Sequence, residues 1–277
     1  MSKILVWNIT KSTTEQVELE DRSSLDAVTR QLPDGFYSTF RTFDGGTRVL
    51  GLTAHLQRLY EPVPAPEVDE SLLRRELDNL LAPYRPGEAR VRAVMTKDAQ
   101  VYVALAPLIP LPREIYEKGV HAETTELQRQ QPQLKSTSFI SRSDAERQHI
   151  AQEGIFEALL VKDGNILEGM TSNFFYVGQV ANLPYIGTAG DGILPGITRE
   201  TVIDIARGRG LEVKYEPLRQ DQLESLSEAF ITSSSRGVVP VVQIDGVTIG
   251  EGSPGPVTKE LGVAYHAYVL ANAEKIV

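Results

Sequence analysis

EALLVKDGNILEGMTSNFF (157–175) reads as two short apolar runs joined by Asp163-Gly164. Asp-Gly between apolar runs is a strong local hairpin signal, because the tight turn needs positive φ and these residues tolerate it. The second run ends at Glu168, directly before Gly169 and the polar set Thr171, Ser172 and Asn173. A glutamate closing a hairpin strand is ordinarily a turn residue. Its other reading is a buried carboxylate facing a protonated ring nitrogen.

Upstream, KILVWNI (3–9) reads as an opening strand, and FYSTFRTF, Asp44-Gly45-Gly46 and TRVLGL read as a hairpin. TAHLQRLYEP places Leu56 and Leu59 at helical spacing before the break at Pro62, Pro64 and Pro66. SLLRRELDNLLAPY is amphipathic, with Leu72, Leu73, Leu77, Leu80 and Leu81 on one side. ARVRAVMT and VYVALAPL follow as strands, and Pro107, Pro110 and Pro112 mark a linker. Beyond it, Ser143 and Glu146 form a capping-box pattern for a helix that Gly154 can end. Thr198 is placed to cap a helix burying Val202, Ile205 and Ala206, and EAFIT is a strand running into TSSSRG. Helices do not alternate strictly with strands, which predicts an α+β protein. Its two domains are expected at 1–112 and 113–277.

The chain has 277 residues, 41% hydrophobic and 23% charged, a globular composition. A net charge of −9 and a pI near 5.1 offer no basic stripe for nucleic acid. There are no cysteines, so disulfides, cysteine-ligated metals and a thiol nucleophile are excluded. The four histidines (His55, His121, His149, His266) are scattered, and no metal site is expected. The start MSKILVWNITKSTTEQ carries too short an apolar run for a signal or a membrane span, so a cytoplasmic protein is expected.

Several residues have a bland reading and a chemical one. Lys135, in QPQLKSTSF, is either a surface cation or a desolvated amine suited to imine formation with an aldehyde. ILPGITRE brings glycine and free backbone amides to a helix start, a plain helix entry or an anion site. Ser233, Ser234 and Ser235 are a solvated loop or a set of hydroxyls for phosphate oxygens. Arg58 is a surface arginine or a phosphate clamp.

Five blocks, in order from about Ser24 to Val242, resemble the fold-type IV pyridoxal-phosphate (PLP) enzymes. These are the branched-chain and D-amino-acid aminotransferases and aminodeoxychorismate lyase. The blocks are DGFYSTFRTF with HLQRL, which matches a His-x-x-Arg-Leu element at His55 and Arg58; the Lys135 segment; EALLVKDGNILEGMTSNFF; GILPGITR; and ITSSSRGVVPV. The resemblance implies a two-domain α+β fold with a smaller N-terminal domain, PLP in the cleft between the domains, and a homodimer with Tyr37 close to the partner's active site. It implies that Lys135 forms the Schiff base and moves the substrate proton, and that Glu168 pairs with the pyridine nitrogen. Arg58, the Ile197 and Thr198 amides and Ser234 would hold the phosphate, Tyr37 would wall the pocket, and Ser235 would offer donors to a substrate carboxylate.

Two departures concern the substrate. The tyrosine that branched-chain enzymes carry five residues after the lysine is Ile140 here, and neither family carboxylate trap is visible in ARVRAVMTKDAQ. Arg90 and Arg92, on alternate positions of one strand, are candidate replacements or solvated charges. The activity implied is transamination between a hydrophobic or branched-chain α-amino acid and a keto acid. The alternatives are a lyase releasing pyruvate and 4-aminobenzoate from aminodeoxychorismate, and a PLP store without turnover.

Overall fold

Runs rich in valine and aromatic residues form a five-stranded antiparallel sheet in the computed structural model, which describes residues 4–277. Its order is Thr14–Gln16, Leu5–Ile9, Val101–Pro107, Ala89–Thr96, Gly35–Arg41. Lys3, expected within the first strand, lies outside the described residues. Helices Leu52–Tyr60 and Glu70–Leu81 cover one face, burying Leu52, Leu56, Leu59, Leu73, Leu77 and Leu81 among Phe40, Val91, Met95 and Val103. The Asp69 carboxylate caps the second of these helices by accepting from the Leu72 amide at 2.7 Å. On the alternate strand residues, Val6 and Ala104 pack with Leu25 and Val28 of helix Leu25–Arg30.

The chain divides into two compact units. The first takes the described residues up to Ile109 with Leu134–Arg142 and Val269–Val277; the second takes Pro110–Gln133 and Ser143–Tyr268. Lys135 therefore groups with the first unit, and not with the C-terminal part expected to carry it. The cause is backbone pairing at the sheet edge. The Tyr37 amide donates to the Lys135 carbonyl and the Thr137 amide to the Gly35 carbonyl, both at 2.9 Å. The segment thereby covers an edge strand that would otherwise present unpaired backbone groups.

In the second unit, strands Asn173–Val180, Glu228–Ser233, Gly237–Ile244, Val120–Thr125, Glu157–Lys162 and Asn165–Gly169 follow one another by pairing. A single pair, Asn173 opposite Glu168, closes them into a ring. The hairpin expected at 157–169 is present, with Asp163 at φ 52° and Gly164 at φ 75° in its turn. Leu159, Val161, Ile166, Phe174, Ile231 and Val239 form the core. Helix Ile197–Gly208 buries Val202, Ile203 and Ala206, with Ile205 only half-buried.

Three local expectations are corrected. The hairpin of FYSTFRTF with TRVLGL shrinks to one bridge, Phe43 opposite Arg48 with reciprocal backbone bonds of 2.8 and 3.0 Å, across a turn in which Asp44, Gly45 and Gly46 all have positive φ. Gly35–Arg41 pairs instead with Ala89–Thr96, while Arg48–Val49 pairs with Glu274–Lys275. Helix Asp144–Glu153 ends at left-handed Gly154 as expected, yet Ser143 makes no capping bond; its hydroxyl accepts from Arg147 Nε at 3.0 Å. Thr198 is not a cap either, because the helix starts one residue before it and Gly196 takes the cap position.

Candidate active site

In the first unit, the half-buried Lys135 holds its Nζ 5.1 Å from the centroid of the buried Tyr37 ring. The Arg92 guanidinium lies 4.7 Å from the same ring. Arg92 is itself buried, ion-paired to Asp26 at 2.6 Å, and donates to Thr29 and Thr39 hydroxyls at 3.0 Å. Its donors thus serve the packing of helix Leu25–Arg30 on the sheet, which argues against a solvated charge and against an open carboxylate contact. Arg90, two residues earlier, is exposed.

Arg58 lies one turn beyond His55 on helix Leu52–Tyr60, and its burial pulls its pKa down from the ordinary guanidinium value. His55 is buried, with Nδ1 2.7 Å from the Ser38 hydroxyl and its ring 5.1 Å from Phe40; Nε2 meets no hydrogen-bond partner among the described residues. Burial, then the positive charges of Arg58 and Lys135, hold the imidazole well below its usual pKa, so it is neutral in the fold. Below about pH 6.5 the unfolded chain binds a proton that folded His55 refuses. Stability is therefore expected to fall as pH drops through that value, by up to about 1.4 kcal/mol per pH unit from this group. Urea midpoints between pH 7.5 and 5.5 should fall more steeply in the wild type than in His55→Gln; parallel curves would show that His55 does not resist protonation.

In the second unit, Glu168 is 2% exposed. Its Oε1 accepts from Arg129 Nε at 2.8 Å, and its Oε2 accepts from the Leu194 amide at 3.1 Å and from Asn173 Nδ2 at 3.5 Å. Arg129 also donates to the Met170 carbonyl, and Asn173 to the Leu194 carbonyl, both at 2.8 Å. Glu168 is thus no exposed turn residue: a cation and two neutral donors hold its carboxylate in one orientation. Gly196 is required nearby, since a Cβ there would sit 1.9 Å from Asn173 Oδ1. Sequence reasoning singles out neither Arg129 nor Asn173 as a partner of this carboxylate. Asn173 stands within a recognisable motif, whereas Arg129 lies in a polar stretch without pattern.

The Thr198 and Ser234 hydroxyls are 3.5 Å apart. The helix carrying Ile197 and Thr198 has no side-chain cap, so its first amides keep their capacity to meet an anion. Ser235 sits half-buried beside Ser234 in the same turn. These hydroxyls and amides fit a phosphate ester, and the oriented Glu168 fits a protonated ring nitrogen. Among the described residues no cluster of acidic and histidine side chains could hold a metal ion, and no helix is long and apolar enough to cross a membrane.

A family model described as amino-transferase class IV matches residues 35–244. The chain belongs to the class IV aminotransferases. A D-alanine aminotransferase from Bacillus licheniformis is 30% identical over 94% of each chain. A putative branched-chain-amino-acid aminotransferase from Methanocaldococcus jannaschii is 32% identical over 82% of this chain and 84% of its own. The crystal structure of a putative branched-chain amino acid aminotransferase from Thermotoga maritima superposes with a TM-score of 0.77 at 25% identity, covering 96% of each chain. The α+β fold is that of these enzymes. Class IV aminotransferases use PLP to move an amino group between an amino acid and a keto acid, and this aminotransferase is an enzyme of that kind.

Proposed function

We propose that this aminotransferase takes its amino group from a hydrophobic or branched-chain α-amino acid, passes it to a second keto acid, and works as a cytoplasmic homodimer. The observation that carries the site assignment is the buried Glu168 carboxylate, oriented by Arg129, Asn173 and the Leu194 amide. When bound, PLP supplies an aldehyde and an electron-withdrawing ring that takes up negative charge from the substrate Cα. Glu168 keeps the ring nitrogen protonated by accepting its hydrogen bond. Arg58, the Ile197 and Thr198 amides and the Ser234 hydroxyl hold the phosphate. Lys135 would hold the cofactor through its aldehyde carbon and, once the substrate amine has displaced it and left its Nζ as a free amine, would move the proton off the substrate Cα and back.

Support for an apolar substrate side chain comes from the buried ring of Tyr37, which packs with Val94 and Ile140 and lies 5.1 Å from Lys135 Nζ. Support against an acidic one comes from Arg92, whose charge is already matched by Asp26. The Ser234–Ser235 turn is our choice for the substrate α-carboxylate, with the exposed Arg90 as a second contact. The test is a half-reaction. Hydrophobic amino acids added singly, in both hands, should bleach the visible band of the enzyme and yield the matching keto acid. If no amino acid of either hand does so, while aminodeoxychorismate releases pyruvate, the enzyme is a lyase.

A further inference from the structure

Arg236 is the last residue of the three-residue loop between strands Glu228–Ser233 and Gly237–Ile244, the loop that carries Ser234 and Ser235. Its amide donates to the Ser233 carbonyl at 3.2 Å, and its Nε donates to the Ser233 hydroxyl at 3.0 Å. Its Nη2 reaches away from the loop, to Glu157 Oε2 at 3.1 Å and to the Thr171 hydroxyl at 2.7 Å. Its carbonyl accepts from Tyr116 Oη at 2.8 Å, and its guanidinium lies 5.2 Å from the Phe156 ring centroid.

Glu157, 1% exposed, is the centre of this cluster. The same Oε2 accepts from the Thr171 hydroxyl at 2.6 Å and the Ser172 hydroxyl at 2.9 Å. Gly169 leaves the space for it: a Cβ there would sit 2.1 Å from Ser172 Oγ and 3.0 Å from the Glu157 side chain. One buried carboxylate oxygen therefore ties the turn that follows Glu168 to the loop that carries Ser234.

An ion pair with one buried and one half-buried partner adds little net stability, so its contribution here lies in the direction it imposes. The planar guanidinium fork fixes direction as well as distance, which an ammonium on a flexible stem does not. We propose that Arg236 is a positioning residue for phosphate binding: braced on Glu157 and Thr171, it sets the Ser233–Arg236 turn so that the Ser234 hydroxyl faces the phosphate. This rests on the proposal that Ser234 holds the PLP phosphate.

The experiment compares the affinities of apoenzyme for PLP and for pyridoxal, which lacks the phosphate. Wild type should prefer PLP strongly, and Ser234→Ala should lose part of that preference. Arg236→Lys should weaken PLP about 10–100-fold, the loss expected for one misdirected charge-assisted hydrogen bond, and leave pyridoxal affinity unchanged. Thr171→Val, which removes the hydroxyl shared by Arg236 and Glu157 at nearly constant volume, should act in the same direction and carries the test if Arg236→Lys does not fold. Full PLP preference in both variants, or a parallel loss of PLP and pyridoxal affinity, would overturn the positioning role. Ser234→Ala with an unchanged preference would instead overturn the phosphate role of the loop.

Discussion

Lys135→Ala is expected to eliminate transamination while leaving the enzyme folded. In the role proposed for Lys135, loss of general acid–base catalysis at the substrate Cα would alone remove about 10²–10⁴-fold in rate, and loss of the covalent anchor would add to it. The fold should survive because the sheet edge is held by the backbone of this segment and not by its amine. The Lys135 carbonyl accepts from Tyr37, and Thr137 pairs with Gly35. Alanine keeps every one of these bonds. Borohydride reduction followed by peptide mapping checks the assignment: wild type should carry the reduced adduct on Lys135, and the variant should carry none there. An adduct on a different lysine, or a variant with normal turnover, would sink it.

Glu168→Gln should have two separable effects, because this carboxylate pairs with Arg129 in the fold and, as proposed, with the ring nitrogen in catalysis. Arg129 and Glu168 are 6% and 2% exposed and make a close ion pair. Removing one charge breaks a buried ion pair, which typically costs about 3–5 kcal/mol. The new amide also points N–H groups at donors. The catalytic effect is distinct: with no carboxylate to keep the ring nitrogen protonated, turnover should fall about 10²-fold while PLP is still retained. Adding Arg129→Gln separates the two, since removing both charges should restore much of the denaturation midpoint and none of the rate. A single Glu168→Gln variant with normal turnover would reduce Glu168 to a structural ion-pair partner.

Elements whose cause is local are legible in the sequence alone. The Asp163-Gly164 hairpin, the leucine-striped helix Glu70–Leu81 and the Gly154 helix stop depend on neighbours a few residues away, where periodicity and turn chemistry act. Where local signals mislead, competition decides. FYSTFRTF has a nearby candidate partner and a suitable turn, yet the seven-residue strand gains more backbone bonds by pairing with Ala89–Thr96.

By itself, the sequence determined the family and the residue types on offer: a lysine, an acid, an arginine and a hydroxyl-rich loop in an order that resembles PLP enzymes. Only the tertiary structure decided what those residues meet. Arg129 stands 39 positions from Glu168, Asp26 stands 66 from Arg92, and Glu157 stands 79 from Arg236. No periodicity spans such separations, because each pairing exists only after long loops have closed and strands have taken their register. Burial then turns charges that would be solvated in an open chain into fixed partners, since a charge removed from water needs a counter-charge or donors at a definite place.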